Sequence, residues 1–127
     1  MVGLADFLLA AEAVLGIDAE RIARATRIPL AESALAAPFA SFEGRDLYAE
    51  DPIQRAAILA SRIMRNHPLP DGNRRVALVL MDLYLEEQGL RLNATATDVD
   101  RTFRDVAAGR LPEAHFANWL RERVELA

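Results

Sequence analysis

The sequence contains no cysteine, which excludes disulfide bonds and thiolate metal sites and is typical of a reducing compartment. It also lacks an apolar run long enough to cross a membrane, and no basic segment precedes an apolar one at the N-terminus. The net charge of −4 indicates no general affinity for nucleic acid. We therefore expect a cytoplasmic protein with no membrane segment and no direct nucleic-acid partner.

The composition of the chain is typical of one folded domain. With 127 residues, of which 52% are apolar and 27% charged, the chain can bury a core without disulfides. The sequence shows no internal repeat, no low-complexity tract and no linker. We expect a single domain that spans residues 1–127.

Apolar residues recur at helical spacing along most of the chain and predict an all-α fold. Residues 76–85 are apolar at every position except Asp82. A helix that is apolar all round is buried on all sides, so this one should be the central helix of a bundle. Asp82 is expected to pair with another group. The predicted helices begin near Leu4, Asp18, Pro29, Pro52, Val76, Thr97 (as a cap) and Pro112, and the last of them includes Val124.

The segment from residue 39 to 48 interrupts the helical pattern and is the one place where β-structure is expected. Phe39 and Phe42 lie close to Glu43-Gly44, which offers a turn between two short extended arms. One interpretation is a surface loop pinned by the two aromatic side chains. The other is a short hairpin whose edge docks an extended target peptide.

The stretch His67-Pro-Leu-Pro-Asp-Gly-Asn-Arg-Arg75 concentrates reactive side chains. Two prolines and a glycine predict a helix end, a tight loop and a new helix. Backbone N–H groups at a helix start, with Arg74 and Arg75 beside them, make a phosphate site. Asp71 can hold Mg²⁺, which needs only one or two protein ligands when phosphates supply the others. The stretch predicts phosphoryl or nucleotidyl transfer, with His67 as a candidate base.

Each of these residues also has an ordinary structural interpretation. His67 can be a surface or capping residue, and Asp71 can be an N-cap. Gly72-Asn73 can form a simple turn. Two arginines at a helix start, however, oppose the helix dipole unless an anion offsets their charge. The combination in one loop, at the head of the most apolar helix, favours the functional interpretation.

The stretch from His67 to Arg75 resembles the signature of the Fic/Doc family, written H-x-F-x-[D/E/N]-[G/A]-N-x-R. The resemblance covers nearly the whole chain, since residues 28–38, 46–48 and 109–120 are similar to Doc-type members. It implies a compact helical bundle around a buried central helix, with one small β-hairpin that serves as a flap.

The resemblance also implies a role for each signature position. His67 would take the proton from a target hydroxyl, and Asp71 would bind the Mg²⁺ that bridges the phosphates of ATP. The flap would align the target segment by strand pairing. The implied phosphate-binding residues are Gly72, Asn73 and Arg74 in an anion hole and Arg75 as a clamp, and the implied flap residues are Phe39, Ser41, Phe42, Glu43, Gly44 and Arg45.

Two positions depart from the family pattern. Leu69 replaces the phenylalanine that anchors the loop in the core, and we expect it to serve as a smaller anchor. Arg74 stands where AMP-transferring Fic enzymes carry a glycine and where Doc carries a lysine. In this respect the chain resembles Doc, a toxin that transfers the γ-phosphate of ATP to a threonine of elongation factor Tu and is blocked by its antitoxin Phd.

The resemblance therefore implies a translation-arresting protein kinase restrained by a Phd-like antitoxin. The chain lacks the inhibitory motif [S/T]-x-x-x-[D/E]-G-N that some Fic enzymes carry, so a separate antitoxin is expected. One alternative is AMP transfer to a protein hydroxyl. Another is a catalytically silent module that binds an antitoxin and co-regulates transcription. The catalytically silent alternative is disfavoured because the signature residues are all present. They are His67, Asp71, Asn73 and Arg75.

Overall fold

The computed structural model describes residues 2–48 and 51–127, except the side chain of Phe42, and it confirms the predicted all-α fold. Within these residues no helix combines the length and the apolar character needed to cross a membrane. The seven α-helices of this part begin within three residues of their predicted starts. They are α1 (Leu4–Leu15), α2 (Ala19–Ala25), α3 (Ile28–Ala36), α4 (Pro52–Asn66), α5 (Asn73–Glu87), α6 (Ala96–Ala107) and α7 (Glu113–Arg121), and a 3₁₀ turn (Ala37–Phe39) follows α3.

The most completely enclosed helix is α4, which packs against α3, the 3₁₀ turn, α5, α6 and α7. Every residue from position 56 to 61 is buried, and several are alanines, whose small side chains let neighbouring helices approach closely. The prediction that the apolar run of α5 is buried on all sides holds only in part. Val79 is 44% exposed, and Asp82 lines a cavity described below.

The helix starts follow the predicted caps with one exception. Asp18 accepts a hydrogen bond from the Arg21 N–H at 2.9 Å. The cap of α6, however, is Thr95, whose hydroxyl accepts from the Asp98 N–H at 3.1 Å, so the predicted cap Thr97 lies inside the helix. Thr95 and Thr97 each have an aspartate three positions later, Asp98 and Asp100, so the capping pattern in the sequence does not distinguish them.

The expected β-hairpin is present. Strand β1 (Ser41–Phe42) pairs antiparallel with β2 (Arg45–Asp46) through the two-residue turn Glu43-Gly44. Both turn residues have positive φ, +52° and +76°. This is the backbone that matches the twist of two antiparallel strands, and glycine adopts it readily. The hairpin itself is confirmed, and docking of a target peptide at its edge stays a prediction.

Phe39 anchors this hairpin to the helices. Its ring packs edge-on against Tyr84 of α5, with 6.1 Å between centroids, and the Arg55 guanidinium of α4 lies 4.9 Å from the centre of its face. Arg55 also pairs with Asp46 of β2 at 3.4 Å. Burial at this contact raises the pKa of the Tyr84 phenol. The predicted pinning by Phe42 concerns a side chain outside the described residues.

A second two-stranded sheet adds to the predicted fold. Strand β3 (Leu90–Leu92) pairs antiparallel with β4 (Val124–Leu126), and a cross-strand ion pair joins Arg91 to Glu125 at 2.6 Å. The pKa of the exposed Glu125 carboxyl is lowered by this bond to Arg91. Val124, predicted to lie in the last helix, is therefore in a strand. Three-residue strands carry too little periodicity to be recognised, and these partners lie 34 residues apart.

The start of α4 is tied to the end of α7 by an ion pair between Asp51 and Arg121. The guanidinium donates to the two carboxylate oxygens at 3.1 and 2.7 Å, while Asp51 Oδ1 also accepts from the Gln54 N–H at 3.0 Å as the N-cap of α4. The bond from Arg121 holds the pKa of Asp51 below its ordinary value of 3.8.

We expect Asp51→Ala to lower the free energy of unfolding by about 1–2 kcal/mol, because it removes an N-cap and an ion pair together. The lowered folded-state pKa means that the stabilisation is present above pH 3.8 and is lost as the pH falls through the folded-state pKa. Urea denaturation at neutral and at strongly acidic pH measures both effects. Arg121→Gln keeps the cap and should cost less; an equal cost would contradict the capping role.

Candidate active site

The signature loop, residues 67–72, joins the end of α4 to the start of α5. His67 caps α4 in the left-handed conformation, with φ +52° and ψ +55°. Helical geometry is disfavoured before Pro68, so α4 ends here as expected. A left-handed backbone costs a non-glycine residue on the order of 1–2 kcal/mol. Contacts around the loop must therefore hold His67 in place.

Leu69 fastens the loop to the core, where its side chain is fully buried, as expected for a smaller anchor. Its backbone pairs with the side chain of Asn73. The Leu69 N–H donates to Asn73 Oδ1 at 3.0 Å, and Asn73 Nδ2 donates back to the Leu69 carbonyl at 2.9 Å. If the amide oxygen and nitrogen were exchanged, the Leu69 N–H would face another donor and the Leu69 carbonyl another acceptor. This pairing therefore fixes the orientation of the buried amide.

The second N–H of the Asn73 amide is directed at His67. Asn73 Nδ2 lies 3.1 Å from His67 Nδ1. An amide nitrogen donates and does not accept, so Nδ1 is the acceptor and the neutral imidazole carries its proton on Nε2. The single basic lone pair of neutral His67 is thus engaged by Asn73. Before His67 can accept a proton from a hydroxyl, this bond must open or the ring must turn.

Asp71 and Gly72 form the turn that leads into α5. Gly72 is its N-cap, with φ +79°, and a Cβ at this position would lie 2.9 Å from Leu15 Cδ2 and 3.3 Å from Val14 Cγ1. Asp71 Oδ1 accepts a hydrogen bond from the Gly72 N–H at 2.8 Å. The glycine thus permits both a left-handed backbone and close packing against α1. Its N–H is already used and is not open to a phosphate.

Three backbone N–H groups remain free at the start of α5. The first hydrogen bond of the helix runs from the Val76 N–H to the Gly72 carbonyl at 3.0 Å. Asn73, Arg74 and Arg75 therefore present N–H groups that have no acceptor among the described residues. The positive end of the helix dipole lies at the same point, and this combination binds anions.

The two arginines differ in their surroundings. Arg74 is half-buried, and within the described residues its guanidinium has no hydrogen-bond or ion-pair partner. Arg75 is exposed, and its Nη1 makes a long 3.5 Å contact with the Val14 carbonyl at the end of α1. Neither guanidinium pairs with a carboxylate of the described chain, so both can add positive charge to the helix start.

The loop and the start of α5 open into a cavity of about 760 Å³, a size usual for small-ligand sites. Its polar end holds every residue predicted to act on the nucleotide or metal, and its wall is formed by apolar side chains of α5, α6 and β3. None of the described flap residues lines it. The cavity is lined by His67, Asp71, Gly72, Asn73, Arg74 and Arg75 at the polar end and by Leu78, Leu92, Val99 and Phe103 along the wall.

Three charged residues of the cavity were missed by the sequence prediction. Asp100 and Arg104 of α6 form an ion pair at 2.8 Å, and their spacing is that of an ordinary surface pair, so no sequence signal distinguishes them. Asp82 interrupts an apolar run, which is a signal, but its predicted partner is absent among the described residues. It lies about 10 Å along α5 from Arg75, on the same face. Although Asp82 is exposed, partial desolvation by its neighbours raises the pKa of its carboxyl.

The cavity offers few ligands for a metal. Within residues 2–48 and 51–127 no group of three or more histidine, aspartate or glutamate side chains converges to hold an ion. Asp71 Oδ1 is occupied by the Gly72 N–H, and its second carboxylate oxygen has no hydrogen-bond partner in the described chain. This fits Mg²⁺ that is bound together with phosphates, because such an ion needs only one or two carboxylates.

The sequence model of the Fic/DOC family matches residues 6–85, more than half of the chain, including the hairpin and the signature loop. The chain belongs to the Fic/DOC family. Members of this family are typically protein-modifying transferases, which agrees with an anion site beside a histidine. No curated protein and no solved structure matches the chain.

We expect Gly72→Ala to displace the Fic/DOC signature loop. The alanine would be strained at φ +79° and its Cβ would press on Leu15, so the free energy of unfolding should fall by about 1–3 kcal/mol. Gly16→Ala is the matched control, because Gly16 has φ +68° with nothing within 4 Å of the added Cβ. Urea denaturation should show a smaller loss for Gly16→Ala; equal losses would contradict the role of close packing at Gly72.

Proposed function

We propose that this Fic/DOC protein is a Doc-like toxin that transfers the γ-phosphate of ATP to a hydroxyl of a target protein. One observation carries the proposal: three free N–H groups at the start of α5 share a cavity with His67 and the carboxylate of Asp71. By resemblance, the target is elongation factor Tu, the result is arrested translation in the cytoplasm, and a Phd-like antitoxin restrains the activity.

The start of α5 would bind the phosphates of ATP. The N–H groups of Asn73, Arg74 and Arg75 are held by the helix itself, so they need no rearrangement when charge develops on the transferred phosphoryl group. The Arg74 guanidinium adds two parallel donors that suit phosphate oxygens. The apolar wall of the cavity would receive the nucleoside, because it offers the flat apolar surface that a base requires.

Asp71 would hold Mg²⁺ through the carboxylate oxygen that the Gly72 N–H leaves free. When bound, the ion would neutralise part of the phosphate charge. The hydrogen bond from the Gly72 N–H orients the Asp71 carboxylate before the nucleotide arrives, so the side chain loses little conformational entropy on binding. The residues present thus suit a metal that enters with its nucleotide.

His67 would receive the proton of the target hydroxyl. The oxygen of that hydroxyl would form a bond to the γ-phosphorus of ATP. The bond between that phosphorus and the β,γ-bridging oxygen breaks, and ADP leaves with the electron pair. In the free protein Asn73 occupies the lone pair on His67 Nδ1. Phosphate oxygens are charged acceptors that compete for the side-chain N–H of Asn73, so nucleotide binding can free His67 for proton transfer.

AMP transfer to a protein hydroxyl is the alternative, and Arg74 argues against it. A glycine here would leave the backbone N–H groups bare, so that the α- and β-phosphates could lie directly on them. The half-buried Arg74 lines the cavity, and its side chain would take up part of this space. This favours a reversed nucleotide whose γ-phosphate lies at the reaction centre.

Labelled ATP distinguishes the two reactions. We expect a bacterial lysate incubated with the protein to be labelled from [γ-³²P]ATP and not from [α-³²P]ATP. Label from the α-phosphate would mean AMP transfer and would show that Arg74 does not set the nucleotide's direction. Arg74→Gly then tests whether this single residue determines the direction of the bound nucleotide. Label from neither nucleotide would favour a silent antitoxin-binding module.

Two histidine variants test the base within the same assay. His67→Ala should reduce transfer by about 10²–10⁴-fold, the usual contribution of a general base. His115→Ala is the matched control, because this exposed histidine on α7 does not line the cavity, and it should transfer phosphate at the wild-type rate. Wild-type transfer by folded His67→Ala would place the base elsewhere.

A calorimetric titration tests the metal. We expect Mg²⁺ to strengthen ATP binding to the wild type and to have little effect on Asp71→Asn, because asparagine keeps the acceptor for the Gly72 N–H but loses the negative charge. Asp100→Asn changes a carboxylate of α6 that also lines the cavity; it is the control and should keep the response to Mg²⁺. An unchanged Mg²⁺ response in Asp71→Asn would remove Asp71 from the metal site.

A further inference from the structure

Arg27 reaches the signature loop from a segment 40 residues earlier in the chain. Its Nη2 donates to the His67 carbonyl at 2.6 Å, and its backbone N–H donates to the Pro68 carbonyl at 2.8 Å. We propose that Arg27 is a positioning residue: it holds the backbone of His67 and thereby the direction of the imidazole in the cavity. The kinetic part of this inference rests on the proposed function.

His67 needs such support because its backbone is unusual. Among the described residues that are not glycine, positive φ occurs at His67 and at Glu43. Glu43 lies in a two-residue hairpin turn that requires this conformation. His67 lies at the end of α4, where a left-handed residue is common but is usually glycine, and the proline after it favours an extended backbone instead. A change to that backbone would swing the Cα–Cβ bond and carry the ring away from Asn73.

The backbone of Arg27 is held in place, while its side chain is exposed where it reaches His67. It is the N-cap of α3, and its carbonyl accepts from the N–H groups of Leu30 at 3.0 Å and Ala31 at 3.2 Å. A second tether joins the same two segments, because Asn66 Nδ2 donates to the Leu30 carbonyl at 3.1 Å. The first turn of α3 is therefore a fixed platform from which Arg27 reaches the loop.

The chemistry of the Arg27 contact makes it suitable for mutation. Its guanidinium donates to a main-chain carbonyl and, within the described residues, forms no ion pair with a carboxylate. Removing the side chain therefore leaves no unpaired acid behind. It also leaves the N–H groups at the start of α5 untouched, so phosphate binding and histidine placement can be separated.

Nitrogen NMR of ¹⁵N-histidine-labelled protein, without nucleotide, tests the placement directly. In the wild type His67 Nδ1 accepts from Asn73, and in Arg27→Ala its resonance should shift towards that of a free imidazole. The other histidine, the exposed His115 on α7, does not line the cavity; it serves as internal reference and should not move. Arg27→Lys retains a donor and should restore the wild-type spectrum in part. Arg27→Met, which keeps a long side chain without a donor, replaces the alanine variant should that one not fold.

Kinetics form the second test. Arg27→Ala should lower kcat by about 10- to 100-fold at an unchanged KM for ATP, because a misplaced catalytic group slows chemistry while the anion site still binds. Asn66→Ala removes the neighbouring tether but no contact to the His67 carbonyl, so its His67 spectrum and kcat should stay near wild type.

Three results would contradict the proposal that Arg27 positions His67. An unmoved His67 resonance in folded Arg27→Ala would overturn the proposal, and so would an equal change in Asn66→Ala, which would indicate general loosening of the loop. A rise in KM with kcat unchanged would assign Arg27 to ATP binding and also overturn it. If the wild type transfers no phosphate, the proposed function fails, while the spectra still test the contact between Arg27 and His67.

Discussion

The paired hydrogen bonds between the Asn73 amide and the Leu69 backbone are the contact on which the candidate site depends. They close the signature loop over a fully buried leucine and fix the orientation of the amide. The remaining amide N–H is thereby directed at His67 Nδ1. Because one side chain joins loop, core and histidine, loss of Asn73 would disturb binding and proton transfer together, and double-mutant analysis would be needed to separate them.

Around this contact the helices hold the loop from three sides. The end of α1 packs on Gly72 so closely that an added Cβ would lie 2.9 Å from Leu15 Cδ2, and the first turn of α3 holds the carbonyl of His67 through Arg27. Enclosed α4 supplies the fixed end from which the loop departs. Rigid neighbours allow a short irregular segment to keep a left-handed histidine that would otherwise relax. The same packing leaves the first three N–H groups of α5 free for an anion.

Much of the fold could be predicted because its signals are local. Asp18 and Asp51 cap helices where expected, and Glu43-Gly44 forms the turn of a hairpin. Errors occurred where local signals were short or duplicated. Thr95 and Thr97 both lie at the start of the same helix, and only the hydrogen bond to the Asp98 N–H distinguishes them. The strand pair β3–β4 joins segments far apart in the chain, so no pattern within either segment indicates the other.

By itself the sequence determined the helical class, the order of the elements and the chemical identity of the signature, because periodicity, caps and fixed motif spacing are properties of neighbouring residues. Tertiary structure alone decided which groups are free to act. It occupied the lone pair of His67 with Asn73 and brought Asp82 of α5 into the wall of the cavity. Hydrogen-bond availability depends on what packs nearby in space, and separation along the chain does not encode it.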